Sequence, residues 1–367
     1  MVRPDRRSAR FESPVDSPVS LFSMPSILIT GGAGFIGVNA AQHFASLGWE
    51  VAILDNLSRR GTEDNLRWLL DQHPAIAFHR VDIRQADALA EVVAAVRPSM
   101  LLHLAAQVAV TTSYTNPRED FEINALGTFN VMEALRLQSP ESFVLYASTN
   151  KVYGGMESVP VEMTPHGYRF RDLPSGVPES QPLDFHSPYG CSKGVADQYT
   201  IDYARIYDLH TCAFRQSCIY GTRQFGIEDQ GWVAWFSIAA LLERPITLYG
   251  DGWQTRDVLD VRDLARAYEA AWHSRDRISG QAFNIGGGPV NTLCLRDLLR
   301  FLEEELAITL SPLSGQSRPG DQPVFICDVS KAAEQLGWAP QISVDAGVRH
   351  LIRWVRDNRD LFGWLRQ

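Results

Sequence analysis

The chain has 367 residues, of which 45% are hydrophobic and 21% are charged, and its formal net charge is −9. Such a composition is typical of a globular protein, and the length allows two domains. The acidic balance argues against nucleic-acid binding, which favours a basic surface. No apolar run approaches the roughly 20 residues of a membrane span. We therefore expect neither a nucleic acid nor a membrane as a partner.

The five cysteines are odd in number, and none of their spacings is typical of a metal site. We expect free thiols, no bound metal and a reducing, cytoplasmic location. Residues 1–23 are rich in Pro, Ser and Arg and lack the apolar segment of a signal peptide. We expect this stretch to be a disordered N-terminal extension, because it has no apolar period that could form a core.

From Ser26 onward, short apolar runs alternate with helical patterns. The predicted strands cover residues 26–30, 50–55, 77–83, 100–106, 142–149 and 211–217. The predicted helices cover residues 35–47, 88–96, 121–137 and 189–207. Alternation of this kind predicts an α/β fold with a doubly wound parallel sheet of the Rossmann type.

The pattern changes after residue 217, where Gly, Trp, Pro and Arg become frequent and strands and helices are mixed. We predict a Rossmann domain over residues 24–217 and a smaller, mixed α/β ligand-binding domain that makes up most of residues 218–367. A segment near 256–285 is predicted to return to the first domain. The stretch 154–186 is predicted to cover part of the site, because loops of this length are usually functional or disordered.

Gly31, Gly34 and Gly37 follow the first predicted strand and open the first helix. Glycine at these positions permits a tight turn and a close approach of the backbone to a pyrophosphate, while the helix N-terminus offers unpaired N–H groups to the phosphates. Asp55, at the end of the second strand, is expected to accept hydrogen bonds from the adenine ribose hydroxyls. These residues predict a dinucleotide site.

Asp55 also bears on the identity of the cofactor. Its charge repels a 2′-phosphate and favours NAD over NADP, whereas Arg59 and Arg60 would attract that phosphate. We predict NAD. Further predicted cofactor contacts lie in the glycine turn, at the carboxyl edge of the sheet and on the helix after the fourth strand. They are Phe35, Ile36, Asn56, Ser58, Arg59, Asp82, Ile83, Leu104, Ala105, Ala106, Asn124, Ala147 and Ser148. For Asn124, a buried structural role is the alternative.

Tyr189 and Lys193 are four residues apart on one predicted helix and therefore share a face. A tyrosine with its ordinary pKa near ~10 is a poor base at neutral pH. We predict that the positive charges of Lys193 and of an oxidised nicotinamide lower the pKa of Tyr189, so that its phenolate takes a proton from a sugar hydroxyl. Lys193 is also expected to bind the nicotinamide ribose. Thr149, at the end of the fifth strand, is expected to orient the reacting hydroxyl and completes the predicted catalytic group.

Four short strings together resemble one family. They are GGAGFIG, the Ser-Thr pair at 148–149, the Y-x-x-x-K spacing and RPGD at 318–321. From about residue 26 to its end, the chain resembles the extended short-chain dehydrogenases/reductases that act on nucleotide sugars. Within that family, STNKVYG, LDFHSPYGCSKG and RQFGIEDQGWVAWF are similar to segments of the 2-epimerases of CDP-linked sugars.

The resemblance implies a reaction and an assembly. The implied reaction inverts C2 of a CDP-linked deoxyhexose, such as CDP-paratose or CDP-tyvelose, through a transient 2-keto sugar, with NAD tightly bound and recycled. The implied assembly is a homodimer or homotetramer paired through helices 121–137 and 189–207, both of which have more apolar residues than one sheet-facing stripe needs.

The resemblance also implies the substrate contacts. Arg256 and Arg318 match positions that hold the nucleotide diphosphate, for which a bidentate arginine is suited. The 230–232 run matches positions that meet the base and ribose. The implied substrate-binding residues are Gln107, Thr149, Asn150, Gln216, Cys218, Gln230, Gly231, Trp232, Arg256 and Arg318.

Two departures from the family pattern narrow the implied chemistry. Asn150 and Lys151 stand where nucleotide-sugar 4,6-dehydratases usually carry Asp and Glu, so dehydration is disfavoured. Cys218 stands where UDP-galactose 4-epimerases usually carry Asn, so their substrate pose is in doubt. A 4-epimerase of a UDP-linked or other nucleotide sugar is the first alternative. A non-catalytic NAD-binding sensor is the second, and the intact catalytic group argues against it.

Overall fold

The computed structural model describes residues 24–228, 230–317 and 322–365. The predicted tail, 1–23, and the RPGD string with Arg318 lie outside the described residues. The strands are, in chain order, β1 (Ser26–Thr30), β2 (Glu50–Leu54), β3 (Ala77–His79), β4 (Met100–His103), β5 (Phe143–Thr149), β6 (Val161–Thr164), β7 (Gly167–Phe170), β8 (Thr211–Gln216), β9 (Cys218–Tyr220), β10 (Thr247–Tyr249), β11 (Thr255–Asp260), β12 (Gln281–Ile285), β13 (Thr292–Cys294), β14 (Leu313–Gly315) and β15 (Val324–Phe325). The α-helices are α1 (Phe35–Ser46), α2 (Thr62–Gln72), α3 (Ala86–Val96), α4 (Val110–Thr115), α5 (Pro117–Phe121), α6 (Gly127–Gln138), α7 (Ser187–Tyr207), α8 (Trp232–Leu241), α9 (Val261–Ile278), α10 (Leu295–Leu306), α11 (Ser330–Leu336) and α12 (Val344–Asp357). Glu122–Leu126 forms a π-helical turn, and Asn150–Tyr153 and Arg359–Leu365 form 3₁₀ turns.

Seven of these strands form one parallel sheet in the order β12-β8-β5-β4-β1-β2-β3. The chain winds outward from β1 to β3 and then crosses back to β4 on the other side of β1, so the winding direction reverses between β1 and β4. Ile27, Leu28 and Ile29 of β1 are fully buried, as expected for a central parallel strand covered on both faces. This sheet confirms the predicted doubly wound fold. In such folds, ligands bind at the reversal, outside the carboxyl ends of the strands.

Some predicted elements are longer than the observed ones. The predicted strands 77–83 and 100–106 end at His79 and His103, because the apolar pattern continues into loops at the carboxyl edge of the sheet. The predicted helix 121–137 is also interrupted, since a π-helical turn separates α5 from α6. Single π-helical turns often occur at functional sites, and this one lies beside α7.

A second apolar core lies in the C-terminal half of the chain, among α8, α10 and α12. Beside it, β11 pairs in parallel with β9 and β15 and antiparallel with β13. The next elements belong to the large sheet, since Leu264 and Tyr268 of α9 pack in the same core as Ile29 and β12 pairs with β8. Most of β11 therefore belongs to the small sheet, whereas the chain from Val261 to Ile285 packs with the large sheet.

The stretch 154–186 is not one irregular loop. Strands β6 and β7 pair antiparallel within it, and Val177 forms an isolated parallel bridge with Cys327. The stretch ends where α7 begins, at Ser187. It is therefore tied both to the C-terminal half of the chain and to the start of the helix that carries Tyr189.

An ion pair between Asp197 and Arg215 fixes α7 to the sheet. Arg215 of β8 donates from Nε and Nη2 to the two carboxylate oxygens over 3.1 and 3.0 Å. Ser148 of β5 donates its hydroxyl to the same carboxylate over 2.6 Å. The Asp197 and Arg215 side chains are 0% and 6% exposed. Because removing one partner of such a pair leaves an uncompensated buried charge, this contact holds α7 firmly against two strands.

Two kinds of feature are absent from the described ranges. None of the helices there combines the length and the apolarity that a bilayer crossing requires. In those same ranges, no three or more His, Cys, Asp and Glu side chains are arranged to hold a metal ion.

We expect Asp197→Asn to lower the free energy of unfolding by about 3–5 kcal/mol, because Arg215 would stay buried without its countercharge. Urea unfolding followed by circular dichroism measures the change. Asp202→Asn is the matched control on the same helix, since Asp202 forms an exposed pair with Arg205. The control should change stability by less than about 1 kcal/mol. Equal losses in the two variants would contradict the role given to the buried pair.

Candidate active site

A cavity of about 380 Å³ lies at the carboxyl edge of the large sheet and is bordered by loops from both halves of the chain. Most of the residues predicted from the sequence line it. They are Gly31, Gly34, Phe35, Ile36, Gly37, Asp55, Asn56, Ser58, Arg59, Asp82, Ile83, Leu104, Ala105, Ala106, Ala147, Ser148, Thr149, Tyr189, Lys193, Gln216, Cys218, Gln230 and Gly231. The fold therefore brings the predicted dinucleotide residues and the predicted catalytic residues to one cavity.

The glycine turn, residues 31–37, is a tight backbone loop, called here the glycine cradle, in which side chains would clash with neighbouring backbone atoms. Gly31 has a φ of +69°, and a Cβ there would lie 2.7 Å from the Ala105 nitrogen. At Gly37 a Cβ would lie 2.2 Å from the Gly31 carbonyl oxygen. Helix α1 then begins without a side-chain cap on its N-terminus, which leaves its first N–H groups for a phosphate. This backbone geometry fits the pyrophosphate of a dinucleotide.

Asp55 directly follows β2 and lines the cavity. Its carboxylate accepts hydrogen bonds from the backbone N–H groups of Leu57 and Ala33 over 2.8 and 3.1 Å. Burial raises the pKa of Asp55, while these backbone bonds and the Arg59 charge oppose the rise. Arg59 itself donates a hydrogen bond to the side chain of Gln230. It therefore joins the β2–α2 loop to the segment that precedes α8.

Asp82 closes the adenine end of the predicted site. Its carboxylate accepts hydrogen bonds from Arg84 and from the Asn56 side-chain amide, the latter over 2.8 Å. The bonds from Arg84 lower the pKa of Asp82 to about 2. Asp82 is therefore ionised at neutral pH and holds Asn56 in place.

Lys193 is held deep inside the site. Its ammonium donates to the Ala147 carbonyl over 2.6 Å and lies 4.4 Å from the centre of the Tyr146 ring. Burial lowers the pKa of Lys193 to about 7, and the charges of Asp197 and Asp120 oppose that shift. A buried ammonium with one carbonyl partner has further donors to offer a ligand.

Tyr189 lies one helical turn before Lys193 and is 7% exposed. Burial raises its pKa to about 12, and a hydrogen bond with the Thr149 side chain and the Arg59 charge only partly offset this. In the protein alone, loss of solvent outweighs the Arg59 charge. That Lys193 and an oxidised nicotinamide together lower the pKa of Tyr189 stays a prediction for the NAD-bound enzyme. The phenol stays protonated at neutral pH unless a ligand adds positive charge.

Two of the predicted residues lie in a network beneath the cavity and do not line it. Asn124, in the π-helical turn, accepts from the Gln107 backbone N–H over 2.9 Å and donates to Ser192 of α7 over 3.1 Å. Gln107 in turn donates to Asp120 over 2.7 Å. Both side chains thus support α7, as the buried alternative for Asn124 expects, and their predicted contacts with cofactor and substrate stay predictions.

Three further predicted substrate residues also lie off the cavity wall. Trp232 donates from its indole nitrogen to the Cys218 sulfur over 3.1 Å, and Asn150 accepts from Thr149 over 3.3 Å. Arg256 donates to the Gln322 carbonyl over 2.7 Å. Their predicted direct contacts were inferred from sequence position, whereas the orientation of these side chains depends on tertiary packing. Arg318 lies outside the described residues.

The sequence reasoning missed several residues that line the cavity. They are Thr62, Asn65, Arg223, Gln224, Phe225 and Gly226. The polar run after β9 offered a signal, because it follows a strand at the same sheet edge. It has no motif of its own, so its approach to the glycine turn becomes visible only in the folded chain.

A second cavity, of about 300 Å³, is bordered by Lys151 of the 3₁₀ turn that follows Thr149. Its polar side chains are those of Tyr114, Lys151, Glu157, His186, Ser187 and Gln322, and apolar residues of the stretch 154–186 line much of the rest. Lys151 donates to the Gln322 side chain over 3.0 Å. The predicted cover is thus part of the wall of a cavity next to the catalytic strand end.

The chain matches known proteins over most of its length. Residues 28–351 match the family model described as GDP-mannose 4,6 dehydratase. A CDP-paratose 2-epimerase from Salmonella typhi is 44% identical over 334 residues, which cover 90% of this chain and 98% of that protein.

Solved structures have the same fold. A UDP-glucose 4-epimerase from Thermotoga maritima, solved with UDP-glucose, gives a TM-score of 0.78 at 29% identity and covers 91% of this chain and 99% of its own. A UDP-glucose 4-epimerase from Thermus thermophilus, in complex with NAD, gives 0.75 at 30% identity with the same coverage. The glycine cradle and Asp55 fit NAD, which is the cofactor. The chain belongs to the GDP-mannose 4,6-dehydratase family of extended short-chain dehydrogenases/reductases and is an NAD-dependent enzyme.

Proposed function

We propose that this enzyme inverts C2 of a CDP-linked deoxyhexose, such as CDP-paratose or CDP-tyvelose, with no net oxidation. The observation that carries the proposal is the meeting of Thr149, Tyr189 and Lys193 with the glycine cradle in one cavity. Similarity to a CDP-paratose 2-epimerase over nearly its whole length supports the choice of nucleotide and carbon.

The proposed chemistry assigns a role to each catalytic side chain. NAD, when bound, supplies the hydride acceptor and a positive charge that offsets the burial of Tyr189. Tyr189 then accepts the proton of the C2 hydroxyl, Thr149 orients that hydroxyl, and the Lys193 ammonium stabilises the phenolate. Loss of this proton and of a hydride from C2 gives a 2-keto sugar.

Inversion requires that the hydride return to the face of C2 opposite to the one it left. The keto sugar turns within the site, and Tyr189 returns its proton to the carbonyl oxygen as hydride comes back to carbon. Protons and electrons then balance, so no external oxidant or reductant takes part. One acid/base, Tyr189, is enough for this cycle, because the same group removes the proton and returns it.

Dehydration is a poorer proposal for this site. Elimination of water needs a second acid/base near the sugar, whereas Asn150 and Lys151 follow Thr149. A 4-epimerase is the better alternative, because solved relatives at about 30% identity carry that name. Cys218 weighs against it, since burial raises the pKa of its thiol to about 11 and the neutral thiol is a poorer hydrogen-bonding group than an amide.

We also propose that the enzyme is a homodimer or homotetramer. On α6 and α7, which pack side by side, Phe129 and Tyr199 contact edge-on with ring centres 6.1 Å apart. Large apolar side chains on these two helices, and on α5 and the π-helical turn before α6, are 39–61% exposed. They are Phe121, Leu126, Phe129, Leu137, Tyr199, Ile206 and Tyr207. Exposed apolar side chains on adjacent helices favour burial against the same surface of a second copy.

Changing Tyr189 to Phe should lower the epimerisation rate by roughly 10²–10⁴-fold, because the acid/base is lost while the ring still fills its place. Bound NAD should stay at the wild-type level. Tyr203→Phe, which removes a hydroxyl from the same helix where it donates to Glu133, is the control and should keep its activity. A fully active Tyr189→Phe enzyme would refute the mechanism.

CDP-paratose should be epimerised at C2 in preference to UDP-glucose. When the reaction is run in deuterium oxide, no deuterium should enter at carbon, because hydride returns from the cofactor. Proton NMR reads both the stereochemistry and the label. Inversion at C4 with C2 unchanged would favour the 4-epimerase. Deuterium at C2 would mean proton removal at carbon and would exclude the redox cycle.

Ile206→Asp should shift the assembly towards single chains, because it places a charge in the proposed apolar interface. Light scattering at micromolar concentration measures the mass. Val290→Asp is the control, since Val290 is 81% exposed outside this face. A wild-type mass equal to one chain would overturn the proposed assembly.

A further inference from the structure

Asp120 of α5 is a buried carboxylate that lies outside the cavity wall. It is 1% exposed and is not among the residues that line the cavity. In the part of the chain that the structure describes, no arginine or lysine donates a hydrogen bond to it, and all of its hydrogen-bond donors are neutral. Burying a carboxylate without a countercharge is unfavourable. The surroundings of Asp120 must therefore offset its charge in another way.

Three neutral side chains donate to this carboxylate. Gln107 and Asn124 donate from their amide nitrogens over 2.7 and 3.2 Å, and Ser192 of α7 donates its hydroxyl. The orientation of both amides is fixed, because the Gln107 side-chain oxygen accepts from the Ala109 N–H and the Asn124 oxygen accepts from the Gln107 N–H. An ionised carboxylate satisfies all three contacts, since it only accepts hydrogen bonds.

The contact with Ser192 brings Asp120 next to the residue that precedes Lys193 on α7. Lys193 is 4% exposed, and the charges of Asp197 and Asp120 both favour its ammonium form. Asp197 is already paired with Arg215. Burial raises the pKa of Asp120, while the bonds from Ser192 and Gln107 and the Lys193 charge oppose the rise. Asp120 is thus a buried anion without a cation of its own, close to a buried cation.

The other titratable groups around Lys193 and Tyr189 do not supply negative charge. Burial lowers the pKa of His103, on β4, to about 3, so this side chain is neutral at pH 7. Burial raises the pKa of the Tyr146 phenol, on β5, well above its ordinary value. Arg59 acts on Tyr189 as a positive charge. Among the described residues that act on Lys193, Asp120 therefore carries the negative charge that no arginine compensates.

We propose that Asp120 is a positioning residue that supplies the countercharge of the Lys193 ammonium and is itself fixed to α7 through Ser192. Its carboxylate keeps Lys193 protonated at neutral pH. The benefit to catalysis rests on the proposed function, in which the ammonium stabilises the Tyr189 phenolate. The same charge raises the pKa of Tyr189, so Asp120 favours the protonated form of both side chains.

The test measures the protonation of Lys193 directly, which is practical because the chain has three lysines, Lys151, Lys193 and Lys331. The full-length, NAD-saturated protein is labelled with lysine carrying ¹³C at Cε, and NMR follows the three signals as the pH is changed. Signals that vanish in Lys151→Arg and Lys331→Arg assign the third to Lys193. We expect Asp120→Asn to move the Lys193 midpoint to lower pH by about half a unit or more, because the ammonium loses a nearby negative charge.

Glu122→Gln is the matched control. It removes a carboxylate two residues further along the chain, where Glu122 forms a partly exposed pair with Arg118, so the Lys193 midpoint should equal that of the wild type. A wild-type midpoint in Asp120→Asn, even with a fall in melting temperature, would overturn the proposal and leave Asp120 as a structural acceptor. The readout requires no turnover, so an error in the proposed reaction would not alter the result.

A second pair of variants keeps the proposal testable if Asp120→Asn does not fold. Lys193→Met removes the cation and leaves Asp120 uncompensated, whereas combining it with Asp120→Asn removes both charges. We expect the double variant to melt at a higher temperature than Lys193→Met alone, because it buries no uncompensated charge. A double variant that melts at the same or a lower temperature, or does not fold, would overturn the proposal.

Discussion

Two successive residues at the end of β5 are held by two residues of α7, and the position of Tyr189 on that helix depends on these contacts. The Ala147 carbonyl accepts from Lys193, and the Ser148 hydroxyl donates to Asp197. Because contacts four residues apart lie on one helix face, the helix cannot slide along the strand without breaking both of them. The acid/base therefore has a fixed distance from the strand end that orients the substrate.

The sequence predicted those parts of the structure that depend on local pattern. Gly31 and Gly37 are required by backbone geometry, Asp55 ends a strand, and Tyr189 and Lys193 share a helix face by spacing alone. The positions of Asn124, Trp232 and Arg223 depend instead on which elements pack together. Asn124 lies in a π-helical turn, the Trp232 indole donates a hydrogen bond to Cys218, and Arg223 stacks between indoles from two helices far apart in the chain. No periodicity in a single chain specifies such contacts, so these roles needed the folded structure.

Burial has opposite effects on the two members of the acid/base pair, raising the pKa of Tyr189 and lowering that of Lys193. Both shifts disfavour charge, so the protein by itself holds the pair closer to neutral than the reaction needs. Bringing a cationic ring into the cavity would favour the phenolate. The proposed proton acceptor, Tyr189, is thereby linked to cofactor occupancy, which would limit acid/base chemistry in cofactor-free protein.

The interleaving of the two cores has a consequence for synthesis of the chain. Strand β8 pairs with β12, and α9 packs on the large sheet. Both β12 and α9, however, come later in the chain than β9 and β11, which pair with each other in the small sheet. A nascent chain that ends near residue 217 would leave one edge of β8 unpaired and the apolar surface under Tyr268 uncovered. Exposed edges and apolar faces promote aggregation. The Rossmann half therefore cannot mature on the ribosome before the chain has been translated past Ile285.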